Sequence, residues 1–116
     1  METDPVSGAL RAVTIVNALI YFGAAAYHSG IVVAAGALAP ASIAEALLGL
    51  VLVATVAGLF SPRVGYVIVL AGTLFGLSIV VARGLLGVDL WIHVLMLAGL
   101  GIAFALLITR RAARSI

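Results

Sequence analysis

The sequence predicts an all-α integral membrane protein, a bundle of four transmembrane helices forming one domain over residues 1–116. Three observations predict it. Of the 116 residues, 66% are hydrophobic and only 9% charged, whereas soluble domains carry about 25% charged residues to wet their surface. Mean hydropathy is +1.39, and a chain this short has too much surface to hide so large an apolar fraction from water. The apolar residues also come as four runs, Ala12 to about Tyr27, Ile43 to Phe60, Val64 to Ala82 and Leu90 to Thr109. Each run is near the roughly 20 residues a helix needs to cross a hydrocarbon core about 30 Å thick. A membrane barrel is excluded, because its strands alternate apolar and polar residues and Leu47 to Ala57 does not.

The expected helices are 12–28, 43–60, 64–82 and 90–109. For the first run, a secretory signal is the competing account, with Arg11 as its positive flank and Ala24-Ala25-Ala26 as small residues for cleavage. The run is long for a signal, and Glu2 and Asp4 precede it. The connection from helix one to helix two has two readings: helix one ends near His28 with Ile31 to Ala39 lying at the interface, or it is long, tilted and ends near Pro40. Gly30, Gly36 and Pro40 favour the first. Ser61-Pro62-Arg63-Val64-Gly65 makes a tight hairpin between helices two and three, and Arg83-Gly84 through Asp89 a second between three and four.

Arginine placement sets the orientation. With the amino terminus inside, Arg11, Arg63, Arg110, Arg111 and Arg114 are cytoplasmic and only Arg83 lies outside. Both termini are therefore expected in the cytoplasm, and arginine without lysine amid abundant alanine and glycine points to the plasma membrane of a bacterium with a GC-rich genome. The partners implied are the lipid bilayer and either a homodimer or a larger membrane complex. Gly72 and Gly76 form a small-xxx-small pair, and Gly23, Gly49, Gly58, Gly99 and Gly101 offer further close-approach points, within the chain or between copies. Six scattered arginines exclude a nucleic-acid face, and zero cysteines exclude disulfides, thiolate metal sites and thiol catalysis.

Polar side chains inside such runs are costly and mark candidate sites. Asn17, Tyr21, Ala24 and His28 are spaced i, i+4, i+7, i+11, one stripe of helix one that faces the bundle. It either bonds across helices or lines a ligand cavity. Asp89 and His93, at i and i+4, put a carboxylate in reach of an imidazole it can orient, while Asp89 also suits a helix cap and Trp91 an interfacial anchor. Glu45 closes the capping-box pattern Ser42-x-x-Glu45, or serves as a proton-carrying, metal-binding or substrate-binding carboxylate.

Topology gathers His28, Glu45, Arg83, Asp89 and His93 at the outer leaflet, where the end of helix one, the start of helix two, the end of helix three and the start of helix four meet. Two histidines and two carboxylates have the donor types for zinc, iron or manganese, with His28, Glu45 and His93 as candidate ligands, and can relay protons; Arg83 alternatively neutralises Asp89 or Glu45. Bis-histidine haem demands both rings at one depth, and a helix one that ends at His28 puts that residue nearer the surface than His93. Serine-nucleophile, phosphate-loop and dinucleotide motifs are absent, Gly99-Leu-Gly101 lacking a preceding strand and a third glycine. Whether the chain is an enzyme stays open on this reading.

The text from Ala44-Glu45 through Gly49, Gly58-Leu-Phe-Ser-Pro to Arg63 resembles the DoxX-like family of small four-helix bacterial membrane proteins. In that family a glutamate opens helix two, a Gly-Leu-Leu-rich stretch follows, and Gly-Leu leads into a short basic turn. The resemblance covers about a third of the chain, and Glu45 is the one position it carries over. It implies a small membrane subunit linked to quinone or redox chemistry. The sequence departs from the family at His28-Ser29-Gly30, where a Gly-x-x-Lys-like ending is expected, and at His93. The function expected is thus an accessory or ligand-binding subunit of a membrane complex with a polar outer-leaflet site; the alternative is a small proton-coupled transporter or channel acting as a dimer.

Overall fold

The structure, a computed structural model, describes the backbone of residues 5–30, 39–85 and 87–115, and the side chains of residues 8–30, 40–85 and 87–109. Of the expected interfacial stretch Ile31 to Ala39, residues 31–38 lie outside the described residues, as do the side chains of Arg110, Arg111 and Arg114.

Four helices run in chain order: α1 Pro5–His28, α2 Ala39–Val56, α3 Pro62–Ala82 and α4 Val88–Ser115. Each packs on its chain neighbours, and α1 closes the ring against α4. The chain termini and the α2–α3 turn therefore share one end of the bundle. The end of α1, the start of α2, the end of α3 and the start of α4 share the other, called here the His28 end. Three stretches, Gly8–His28, Pro62–Ala82 and Val88–Thr109, are long and apolar enough to cross a membrane. At 18 residues α2 is shorter, rising about 27 Å.

The helix ends depart from the apolar runs, for local reasons. Of the two readings of helix one, the structure takes the shorter: α1 stops at His28, and Gly30 lies beyond it at φ +81. It begins at Pro5, well ahead of the apolar run, because proline suits a first turn whose amides have no helical partner. By the same logic α2 begins at Ala39–Pro40 rather than at residue 43. It ends at Val56 rather than 60, where Gly58 adopts φ +86, Gly58 N donates to Thr55 O (3.1 Å) and Leu59 N to Ala54 O (2.9 Å). That paired arrangement closes a helix with a left-handed glycine. Ser61 caps α3 by accepting from Val64 N, with Pro62 in the first turn. Helix α4 runs on beyond Thr109, since arginine and alanine sustain a helix that apolarity no longer requires.

Inside and outside are inverted relative to a water-soluble bundle. Thr14, Asn17, His28, Glu45, Thr73 and His93 are buried, while Leu19, Leu47, Phe75, Leu95 and Ile108 are exposed. The buried apolar cluster, centred on Tyr21, Leu52, Tyr66, Val69, Met96, Leu100 and Ala103, draws on all four helices. Gly72 meets Leu48 and Gly76 meets His93, so both members of the small-residue pair pack within the chain. Gly49 and Gly99 likewise sit against Phe22 and Asn17. Gly23, Gly58 and Gly101 face open space and are not close-approach points within the chain.

Candidate functional site

The expected stripe on α1 faces inward along its whole length: Asn17, Tyr21, Ala24 and His28 are all buried. The stripe nevertheless serves two separate clusters. Near the end that holds the termini, Asn17 Nδ2 donates to Tyr66 OH (3.2 Å) and to Gly99 O (3.2 Å). Thr14 Oγ1 donates to Leu10 O (2.7 Å), so its single proton is spent. The 2.8 Å bond between Thr14 Oγ1 and Tyr66 OH must then have the tyrosine as donor. Direction in this network is fixed, from Asn17 to Tyr66 to Thr14 to a helix carbonyl. A Cβ on Gly99 would collide with Asn17 Oδ1, which is why glycine stands there.

One level up, Tyr21 OH bonds Thr73 Oγ1. Thr73 already donates to Val69 O (2.7 Å), so Tyr21 is the donor here too.

At the His28 end the arrangement changes. His28, 3% exposed, is held between two carboxylates: Nδ1 meets Glu45 Oε1 at 2.6 Å, and Nε2 meets Asp89 Oδ1. Each bond needs one proton, so the three groups share two protons and one net negative charge. That count is the same for an imidazolium between two carboxylates and for a neutral ring with one carboxylic acid. The capping box expected at Ser42 and Glu45 does not form. Because α2 starts before Ser42, the serine is already helical; its hydroxyl donates across to Ala25 O (2.8 Å), and Glu45 is free to reach His28.

The expected pairing of the Asp89 carboxylate with His93 is also corrected. That carboxylate turns to His28 on α1, and His93 Nδ1 instead meets the Asp89 main-chain oxygen at 2.8 Å. A carbonyl can only accept, so Nδ1 carries the proton, and Nε2 of the neutral ring holds a bare lone pair. Nε2 has no partner among the described residues, and it lies 3.0 Å from where a Cβ on Gly76 would stand.

Around these groups is a cavity of about 270 Å³. Tyr21, Thr73 and Met96 form its deep wall and Leu48, Phe75 and Val80 its apolar sides, while His28, Glu45, Asp89, His93 and Arg83 also line it. The exposed lining residues are Pro40 and Ala44 on α2 and Phe75, Ile79 and Arg83 on α3. The mouth therefore lies along the seam between α2 and α3.

Of the residues expected at one site, His28, Glu45, Asp89, His93, Arg83 and Tyr21 come together; Asn17 belongs to the other cluster. Arg83 makes no ion pair among the described residues, where the carboxylates are taken by His28. Sequence reasoning misses Thr73, Tyr66, Thr14 and Met96. Tyr66, Thr73 and Val80 recur every seven residues and are all buried, so a search for one face of α3 finds the first two. As a metal centre the set fits poorly: both His28 nitrogens are engaged by carboxylates, and no group of three candidate ligands among the described residues is arranged to hold an ion. The same engagement denies His28 to a haem iron.

Family models, curated proteins and solved structures give no match to this chain.

Proposed function

We propose that this chain is a multi-pass membrane protein with both termini cytoplasmic, and that it holds the polar head of a lipid-soluble, amphipathic molecule in the cavity at its His28 end. The observation that carries this reading is the cavity: apolar walls, a mouth on the seam between two helices, and a convergent set of buried ionisable groups inside. Binding sites for small amphiphiles have this composition, mostly apolar with a few placed polar groups. A side mouth between helices that expose leucine and phenylalanine gives access from lipid rather than from water.

The membrane reading rests on the apolar exterior and polar interior, which in water would be the costly arrangement and in lipid is the favourable one. The shorter α2 fits with slight local thinning of the bilayer. Arginine distribution supports the orientation, with the exposed Arg11 and Arg63 at the terminal end against Arg83 at the other. The resemblance of the Ala44 to Arg63 text to DoxX-like proteins supports a role as a small binding subunit of a bacterial plasma-membrane complex.

Two experiments test this reading. Because the chain has no cysteine, single cysteines report topology cleanly: a membrane-impermeant maleimide applied from outside should label Gly87→Cys and spare Leu59→Cys, and the opposite pattern inverts the orientation. For binding, 2-naphthol added to protein in lipid nanodiscs should quench the lone tryptophan, Trp91, saturably. Ala44→Phe, which narrows the mouth, should abolish the saturable part. Quenching that is linear in probe and equal in both proteins would refute a binding cavity.

A further inference from the structure

We infer that the cavity's ligand is a neutral molecule carrying a hydroxyl group, phenolic or alcoholic, which donates a hydrogen bond to His93 Nε2. The inference rests on the cavity being a binding site and goes on to name what it binds.

His93 is 7% exposed and lines the cavity. Its Nδ1 proton is committed to the Asp89 main-chain oxygen, which makes Nε2 an acceptor in the neutral ring. No described group donates to that atom. A buried acceptor left unpaired is destabilising, and this one is kept uncovered by the absence of a side chain at Gly76.

The surrounding groups want a donor as well. The Tyr21 proton is spent on Thr73 and the Thr73 proton on Val69 O, so these hydroxyls offer only lone pairs to the cavity. The carboxylates of Glu45 and Asp89 each use one oxygen on His28, and their remaining lone pairs are acceptors too. In the buried part of the cavity a ligand head that only accepts, such as a ketone or an ether, would meet an array of acceptors, the donors of Arg83 standing at the exposed mouth.

Charge narrows the class further. The His28 cluster carries one net negative charge by its proton count, and the Arg83 guanidinium lines the same cavity. Together these groups sum to zero. A cationic or anionic head would bring an uncompensated charge between apolar walls, which is costly. A hydroxyl supplies the donor without the charge.

The test uses a matched pair of probes, 2-naphthol and 2-methoxynaphthalene, which share the ring system and differ in the donor. Wild-type protein in nanodiscs should bind the naphthol at least about tenfold more tightly, the worth of one buried hydrogen-bond partner. With nitrogen-15 histidine, the His93 Nε2 resonance should move upfield on adding 2-naphthol and stay still with the methyl ether. His93→Leu should bind both probes with the preference gone. Gly76→Ala, which changes no polar group and sets a methyl against Nε2, should reduce the preference. Equal affinity of wild type for both probes overturns the inference and leaves the binding cavity intact, as does an unchanged preference in His93→Leu. An Nε2 resonance already hydrogen-bonded without probe and unmoved by naphthol assigns the atom to water and also overturns it. Binding of neither probe overturns the cavity reading and this inference together.

Discussion

Around Tyr66, three polar side chains spend every hydrogen they own on one another and on two backbone carbonyls; around His28, three ionisable groups are tied together beside a space that none of them fills. Both clusters are buried, both start from the same face of α1, and both join distant parts of the chain. They differ in what is left over. The Asn17, Tyr66 and Thr14 network has no unused donor; it leaves over only the Asn17 Oδ1 lone pairs, which even a methyl on Gly99 would strike, and the space beside it is lined by apolar residues apart from Asn17. The His28 end keeps an unused acceptor on His93, a cavity and an exposed arginine at its mouth. A polar network built for packing spends its donors within the chain, whereas one suited to a ligand turns several ionisable groups toward one cavity.

The comparison fails first if the closed network tolerates crowding. Gly99→Leu drives a side chain into the Asn17 amide and should lower stability by roughly 3 kcal/mol, through overpacking plus broken hydrogen bonds, read as a lower melting temperature in detergent. Equivalent polar-to-apolar changes then sharpen it. Asn17→Leu strips donors from Tyr66 and Gly99 O and should cost about 2 kcal/mol. His93→Leu removes an unpaired acceptor and adds apolar volume beside a cavity, so it should fall within about 1 kcal/mol of wild type. Equal losses for the two variants would erase the distinction between the regions.

Within the His28 cluster, Glu45→Gln and Asp89→Asn should not add, because both act through one imidazole. A double-mutant cycle should return a coupling of about 1 kcal/mol, and strict additivity would mean that the three groups are not a unit. The smallest effect belongs to Arg83→Gln. This exposed residue makes no ion pair among those described, and its loss should change stability by less than about 0.5 kcal/mol.

The existence and order of the helices are legible in the sequence because apolar runs of bilayer length and their Pro and Gly punctuation are strong signals. Their ends are not. Hydropathy marks the apolar stretch, while the helix obeys capping, so Pro5 and Pro40 start helices ahead of their runs and Gly58 stops one inside its run. At the site, connectivity suffices to bring His28, Glu45, Arg83, Asp89 and His93 to one end, since consecutive antiparallel helices put their connections alternately at the two ends. Which group bonds which is beyond it. The Asp89 carboxylate has a neighbour at i+4 and another on α1, and only the packed helices decide between them. The α1 stripe groups Asn17 with His28 because a stripe gives direction around a helix and says nothing of which neighbours meet it at each depth.

Below the His28 end, Tyr21 with Thr73 and Tyr66 with Thr14 form two hydroxyl pairs of fixed direction. Passing a proton along hydroxyls requires each one to turn over and hand on what it received. Here the protons of Thr14 and Thr73 rest on carbonyls of their own helices, groups that cannot pass a proton onward. Both threonines, as placed, are dead ends for a proton leaving the His28 end along these hydroxyls.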